Sequence, residues 1–323
     1  QTLTMKTLLL ATLFLASHHA CCCSAFGMTM MSSSPKKVTV VGGTGFVGSR
    51  VCRQLVDQGV AVTSVSKSGT VPKWAAEQDW TNSVDWKAVD LLAANTDALK
   101  AAIGSPDAMV SCVGVVGTDP DELRQGNGEA NVRAFSSVGE VERASFVSVA
   151  SEVAACQDGW LPEFFAGYFD GKKAAEAAAL EAVGGDASKL CVVKPTFIYG
   201  GNSFGLLPPR VTFEYGSAIE QLLSFGLIAA LADITPGLIK VALRPPSSVD
   251  AVAAACVAGV MGQVSGSLDG GPAINEATNQ PEATGLTEAF EWTKENAIKL
   301  YDWAKVEVPK AVDTVKKTID ETK

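Results

Sequence analysis

One stretch constrains the fold of this chain more than any other: Val40-Val41-Gly42-Gly43-Thr44-Gly45-Phe46-Val47-Gly48. It carries two overlapping patterns, Gly43-x-Gly45-x-x-Gly48 and Gly42-x-x-Gly45-x-x-Gly48. The β-branched run Val38-Thr39-Val40-Val41 precedes it, and the helical spacing Val47, Val51, Leu55 follows. In the order strand, glycines, helix, a backbone without side chains can approach a pyrophosphate, and the helix N-terminus turns free N–H groups and a positive dipole end toward it. Gly42, Gly43, Thr44, Gly45, Phe46, Val47 and Gly48 are therefore the candidate phosphate cradle.

The end of the next strand should set the choice of cofactor. A ribose 2′-hydroxyl is held there by an Asp or Glu. Here Ser64-Val65-Ser66-Lys67-Ser68-Gly69 offers no acid before Glu77. A cation flanked by hydroxyls suits a 2′-phosphate, so Ser66 and Lys67 favour NADP(H) over NAD(H).

Strand and helix patterns then alternate along the chain. Val60–Val65, Val84–Val89, Ala108–Val113, Ala144–Ala150 and Leu190–Lys194 read as strands. Helices are expected over Asn95–Ile103, ending at Gly104, over Asn127–Val138, and over the Ala-rich Ala166–Val183. Such alternation predicts an α/β fold with a doubly wound parallel sheet. From about Gly200 the pattern loosens. Residues 217–243 are apolar but interrupted by Asp233, Pro236 and Gly237, which argues against a spanning helix. Val249–Met261 reads as a buried helix, and Gly270-Gly271-Pro272 opens a polar linker. These boundaries give a nucleotide-binding domain over 37–275, with a small substrate or lid region over 200–262, and a linker and amphipathic helical tail over 276–323. That tail, with Leu286, Phe290, Trp292, Ile298, Tyr301 and Trp303, could dock on a protein complex or a membrane periphery, or lie against its own domain.

Composition excludes several functions. With 26 Lys+Arg against 35 Asp+Glu the chain of 323 residues has a formal charge of −9, and no basic face for nucleic acid is expected. Its two histidines, His18 and His19, lie in the N-terminal segment. That segment reads as an address. Residues 1–4 precede Met5, Lys6 and the apolar Leu8–Ala16 follow, and small residues lie around Cys23-Ser24-Ala25, as in a secretory signal peptide. Residues 26–36 are rich in Ser and Met and carry no acid, as in a transit peptide. Ser24-Ala25-Phe26-Gly27 resembles the cleavage motif of plastid pre-proteins in algae with secondary plastids, which implies a plastid destination, stromal or peripheral to thylakoids or lipid droplets; plain secretion is the alternative. Without residues 1–25 the chain has no histidine, so neither an imidazole base nor a His-bearing metal site is expected. The five remaining cysteines are odd in number and widely spread, which suits a reducing compartment.

Thr44-Gly45-x-x-Gly48 together with Tyr168-x-x-x-Lys172 resembles the short-chain dehydrogenase/reductase superfamily, a Rossmann-fold family, in its extended or atypical branch; the likeness covers roughly residues 37–260. It implies that Asp90-Leu91 contacts the adenine, and that Val113-Gly114 lies on the cofactor where the family carries Asn-Ala-Gly, with Cys112 a departure from that motif. It implies that Ser151, at the end of Phe146-Val-Ser-Val-Ala-Ser151, belongs with Tyr168 and Lys172 to a catalytic set. Lys194-Pro195-Thr-Phe197-Ile-Tyr-Gly200 resembles the segment flanking the nicotinamide, which brings Pro195 and Phe197 to the cofactor. Tyr168 and Lys172, four residues apart, share a helix face. An ammonium there would stabilise a phenolate and hold the cofactor ribose while Tyr168 exchanges a proton with the substrate oxygen. Gly171, between them, is expected to weaken that helix. Within the branch, Gly171–Glu176 and Pro245-Pro246-Ser-Ser-Val-Asp-Ala-Val-Ala253 resemble the subgroup of the NAD(P)-binding accessory subunit of complex I and a coenzyme Q biosynthesis auxiliary protein, with plastid relatives. Two functions follow: an NADP(H)-dependent reductase of a hydrophobic quinone or isoprenoid-type carbonyl, or a non-catalytic nucleotide-binding subunit of a membrane-associated complex.

Overall fold

The computed structural model describes residues 34–278, apart from 158, 160, 202–204 and 207–208. The expected signal and transit segments and the amphipathic tail lie outside the described residues. Seven strands form one sheet among the described residues: β1 (Lys37–Val41), β2 (Ala61–Ser66), β3 (Val84–Ala88), β4 (Ala108–Ser111), β5 (Arg143–Val147), β6 (Leu190–Lys194) and β7 (Gly266–Asp269). Their order is β7-β6-β5-β4-β1-β2-β3, and every pairing is parallel. The order reverses between β1 and β4. There the carboxyl ends of the strands open the crevice in which doubly wound folds bind their ligands.

Helices cover both faces because the strand side chains alternate. On one side, α1 (Gly48–Asp57) packs with Val51 and Leu55 against Val38, Val40 and Val62. On the other, α2 (Thr96–Ile103) contributes Leu99 and Ile103 to a core holding Met109, Val41 and Val65. Asn95 caps α2 by accepting from the Ala98 N–H at 2.9 Å, and Gly104 closes it with φ +71°. Beyond β4 come α3 (Pro120–Arg124), a π-helical turn over Gln125–Glu129, and α4 (Ala130–Val138). The expected helix over 127–138 thus begins seven residues earlier. Asp119 starts it, accepting from the N–H groups of Asp121 and Glu122, with Pro120 at the first position.

The long α5 (Ala166–Ala182) lies against this segment with its backbone almost touching. A Cβ on Gly171 would sit 2.8 Å from the Gly128 nitrogen, and one on Gly167 would sit 2.1 Å from the Pro120 carbonyl oxygen. Gly171 does not loosen the helix, as its propensity suggested; with Gly167 it lets α5 pack closely on this segment.

Two strands stop short of the expected ends. β4 ends at Ser111, so Val113 and Gly114 lie in the following loop, and β5 ends at Val147, so Ser151 opens a single helical turn, Ser151–Ala154. The apolar 217–243 region resolves into α6 (Phe213–Leu223), α7 (Gly226–Ile234) and α8 (Gly237–Ala242), and no single described helix is long and apolar enough to cross a membrane. The expected buried helix is α9 (Val249–Val260), whose Val252, Cys256 and Val260 meet Cys191 and Val193 of β6. After β7 the expected polar linker is instead helical, α10 (Gly270–Ala277), anchored by buried Ile274.

Gly171→Ala and Gly48→Ala test this packing, since a Gly48 Cβ would lie 2.2 Å from the Gly42 carbonyl oxygen. Each should cost at least about 2 kcal/mol in urea unfolding. Gly59→Ala, at φ +76° with open space around it, should cost about 1 kcal/mol through backbone strain alone.

Candidate functional site

At the switch between β1 and β4 the glycine turn is shaped for contact. Gly42 has φ +80°, where an L side chain is strained, and its N–H donates to the Val65 carbonyl at 2.8 Å. Gly45 N–H donates back to the Gly42 carbonyl at 2.9 Å. Gly43 faces inward, since a Cβ there would come 2.3 Å from Ser64 Oγ. α1 then begins with no capping side chain and no acidic residue in its first turn, so no side-chain charge offsets the positive end of its dipole.

A cavity of about 320 Å³ opens on this turn. It brings together Gly42, Thr44, Gly45, Ser66, Lys67, Asp90, Leu91, Val113 and Gly114 of the expected cofactor residues, and adds Cys112. Gly43, Phe46, Val47, Gly48, Lys172, Pro195 and Phe197 are not among its lining residues. Val47 and Gly48 are buried in the turn, and Phe46 lies under the Arg50 guanidinium, 5.1 Å from the ring centre. The Pro195 carbonyl accepts from the Ala150 N–H, while Phe197 lines a separate cavity beyond β6.

Lys67 is not free at the end of β2. Its Nζ lies 2.9 Å from Asp90 Oδ2, while Asp90 Oδ1 accepts from the Leu92 N–H at 3.0 Å. Those hydrogen bonds, that from Lys67 first, hold the Asp90 carboxyl below its usual range. The Lys67 side chain is nonetheless 84% exposed, so a ligand anion could draw it away from an ion pair that water already weakens.

The loop after β4 forms the cavity floor, and two asparagines that the sequence reading passed over hold it. Asn127 accepts from the Val115 N–H at 3.2 Å and donates to the Val115 carbonyl at 2.9 Å. Asn131 donates to the carbonyls of Val113 and Asn127, and accepts from Ser111 Oγ at 2.5 Å. The only signal for them was an Asn pair at i, i+4 among glycines. The π turn that aims Asn127 at the loop has no counterpart in hydrophobic spacing.

Tyr168 and Lys172 project from α5 toward the ends of β4 and β5. Lys172 is buried, and its ammonium donates to the Val147 carbonyl at 2.8 Å and the Val113 carbonyl at 3.3 Å. It lies 6.0 Å from the centre of the Tyr168 ring and 4.9 Å from that of Phe146. Desolvation lowers the Lys172 pKa to about 8. One helical turn further, Glu176 is paired with Lys194 at 3.0 Å and accepts from Ser148 Oγ at 2.5 Å. Tyr168 is half-buried, and desolvation pushes its phenol up to about 12. The third expected member, Ser151, is exposed; its N–H donates to Asp269 Oδ1 of β7 at 3.0 Å.

Two further cavities lie beyond Ser151. One, of about 500 Å³, is lined by Ala150, Glu152, Arg244, Asp269 and Asn275 among others. The other, of about 360 Å³, is mainly apolar, with Val153, Phe197, Val211, Ile219 and Val241. They share Thr196, Leu223 and Arg244. Arg244 forms a two-point pair with Glu152, both contacts at 2.7 Å, which holds the Glu152 carboxyl below its usual range; a further contact to Asp233 lies at 2.8 Å. These pairs went unnoticed in the sequence because their members lie far apart along the chain.

Among curated proteins, an uncharacterised chloroplastic protein of Arabidopsis thaliana is 35% identical over 167 residues, 51% of this chain and 51% of that protein. MIOREX complex component 2 of Saccharomyces cerevisiae is 40% identical over 57 residues, 17% of this chain and 21% of that protein. The chain thus spans about half the length of the first relative and about a fifth of the second. Among solved structures, the Bordetella bronchiseptica enzyme WbmH, in complex with NAD+, covers 72% of this chain and 74% of its own at 17% identity and a TM-score of 0.47. The UDP-N-acetylglucosamine 4-epimerase of Methanobrevibacter ruminantium, in complex with UDP-N-acetylmuramic acid, covers 72% and 76% at 17% identity and a TM-score of 0.48. The profile of the NAD dependent epimerase/dehydratase family matches residues 38–208, from β1 past β6 and through the glycine turn, Tyr168 and Lys172. With more than half of its length matched, the chain belongs to the NAD dependent epimerase/dehydratase family.

Proposed function

We propose that this protein is an NADP(H)-dependent reductase of a hydrophobic carbonyl compound, of quinone or isoprenoid type. The observation that carries the reading is that the loop lining the cavity on the glycine turn also receives, through the Val113 carbonyl, the buried Lys172 ammonium, with the Tyr168 ring beside it. Gly42, Thr44, Gly45 and the start of α1 would hold the pyrophosphate, Asp90 and Leu91 the adenine, and Ser66 with Lys67 a 2′-phosphate. Val113, Gly114 and Lys172 would hold the nicotinamide half. A fit to such a cofactor is supported by the backbone positions where a Cβ would collide and by the uncapped helix end.

When bound, a reduced nicotinamide supplies the hydride. Tyr168 supplies the proton. With its pKa pushed up to about 12, the phenol is protonated at neutral pH and is a donor to a carbonyl oxygen, which favours reduction over alcohol oxidation. Ser151 would steady the same oxygen, its backbone fixed by Asp269. The apolar cavity behind Val153 and Phe197 suits a hydrophobic substrate. The chloroplastic relative and the N-terminal sequence both support a plastid destination.

A second reading, a nucleotide-binding subunit without turnover, draws support from the same lysine. Its ammonium is committed to two backbone carbonyls, so Lys172 also works as a clamp between the ends of β4 and β5.

Fluorescence titration should give saturable NADPH binding, and Lys67→Ala should weaken NADPH about tenfold while leaving NADH within about twofold. Equal losses for both cofactors would remove the 2′-phosphate role. Tyr168→Phe should lower quinone reduction by at least about a hundredfold with NADPH affinity unchanged; a wild-type chain that binds NADPH yet turns over no carbonyl would favour the subunit reading. Lys172 also sets a pH dependence of stability. Its folded pKa of about 8 lies below its ordinary 10.5, so between those values the unfolded chain holds the extra proton and stability rises with pH. Urea unfolding should therefore show the wild type gaining on Lys172→Met from pH 8 to pH 10, with a constant difference below pH 7.

A further inference from the structure

The helices α6, α7 and α8 invert the usual distribution of side chains. Of the eleven large hydrophobic residues exposed among the described residues, eight lie between Phe213 and Ile239. Leu227, Leu231 and Ile234 stand at i, i+4 and i+7 on α7, with Leu227 73% and Ile234 79% exposed. Leu222 on α6, Phe225 just before α7, and Leu238 and Ile239 on α8 are exposed as well. A stripe at this spacing ordinarily faces a core.

The charges of the same segment turn the other way. Asp233 pairs with Arg244, and Lys240 pairs with Glu152 at 3.2 Å. Glu220 accepts from the Tyr199 hydroxyl and from Asn275 Nδ2. From Leu222 to Ile239 the one formal charge is Asp233, and it is neutralised. The Thr235 hydroxyl donates to the Ala232 carbonyl within the helix end. A protein partner would find few hydrogen-bonding groups here for the polar rim that such interfaces carry. Acyl chains need none.

α6 and α7 meet at 75°, and only as this bent pair do they reach the length and hydropathy of a membrane segment. Neither helix, about 16 Å and 14 Å long at 1.5 Å per residue, can span a hydrocarbon core of about 30 Å. Such a pair can lie within one leaflet with its apolar face down. From the inside, Ile219, Leu223, Val241 and Ala242 of the same helices wall the apolar cavity of about 360 Å³.

We infer that the outer face of α6, α7 and α8 docks on a lipid bilayer, inserting Leu227, Leu231 and Ile234 among the acyl chains of one leaflet. The docking places the apolar cavity against the lipid phase. That a hydrophobic carbonyl substrate enters by this route rests on the reductase reading; the docking does not.

The test is flotation of the full chain with neutral phosphatidylcholine vesicles, at low salt and at 1 M NaCl, for the wild type and for Leu227→Gln/Leu231→Gln/Ile234→Gln. The wild type should float at both salt concentrations, and the triple variant should bind at least about tenfold more weakly. Because the three side chains are exposed, the variant should keep the wild-type thermal midpoint; Leu227→Gln/Ile234→Gln serves if it does not. No flotation of the wild type, equal flotation of the variant, or binding confined to anionic vesicles at low salt would each overturn the proposal. So would a wild-type dimer on size-exclusion that the variant lacks, without flotation, because a second copy would then be the occupant. Flotation and NADPH titration are separate readouts, so a failure of the reductase reading would leave this result intact, and the reverse.

Discussion

The approach of α5 to the segment 120–138 is the constraint on which the candidate site depends. Gly167, Gly171 and Gly128 let two helical backbones come within the distance that any Cβ would forbid. At that spacing the Lys172 stem reaches past Phe146 to the Val113 carbonyl in the loop after β4 and the Val147 carbonyl that ends β5. A buried ammonium without such partners would be costly, and with them it ties helix, strand and the floor of the cavity on the glycine turn into one unit. Tyr168, one turn earlier on the same rigid helix, inherits its position from this packing.

Electrostatics separate the two ends of the cleft. Near the glycine turn no side-chain charge offsets the end of α1, and the Lys67–Asp90 pair is open to solvent on the Lys67 side. Beyond Ser151, Arg244 and Lys240 are both committed to carboxylates. Among the described lining residues of the larger cavity there, the cation is already neutralised, which leaves little to attract an anionic substrate.

What could be read from the sequence was local in origin. β-branched runs and the glycine turn encode β1, β2 and their crossover within a few residues, and the Ala-rich α5 and the cap of α2 follow from spacing and side-chain chemistry. β7 was not legible. Gly266-Ser-Leu-Asp269 has one large apolar residue, and it becomes a strand because β6 offers an edge to pair with. The role of Gly171 was misread for the same reason: helix propensity is a property of one segment, whereas its cost here is set by a second. Asn127, Glu176 and Arg244 escaped notice because each is defined by a partner or a backbone turn that spacing does not announce. The outward-facing apolar stripe of α7 looks in sequence like an ordinary core stripe; only burial distinguishes the two.

The π-helical turn over Gln125–Glu129 also bears on how the chain tolerates changes in length. A π turn carries about one residue more than an α turn, and the surplus is taken up locally, in a widened turn. Removal of a single residue within 125–129 would let the helix relax to uniform α geometry with its flanks still in phase, and would take away the widened turn that aims Asn127 at the loop. Asn127 and Asn131 would then no longer both address the loop at Val113–Val115, although the sheet beneath, built from other segments, would keep its strands. The cavity on the glycine turn thus depends on one surplus residue in one helix, a form of fragility that substitution scanning would not reveal and that a one-residue deletion would.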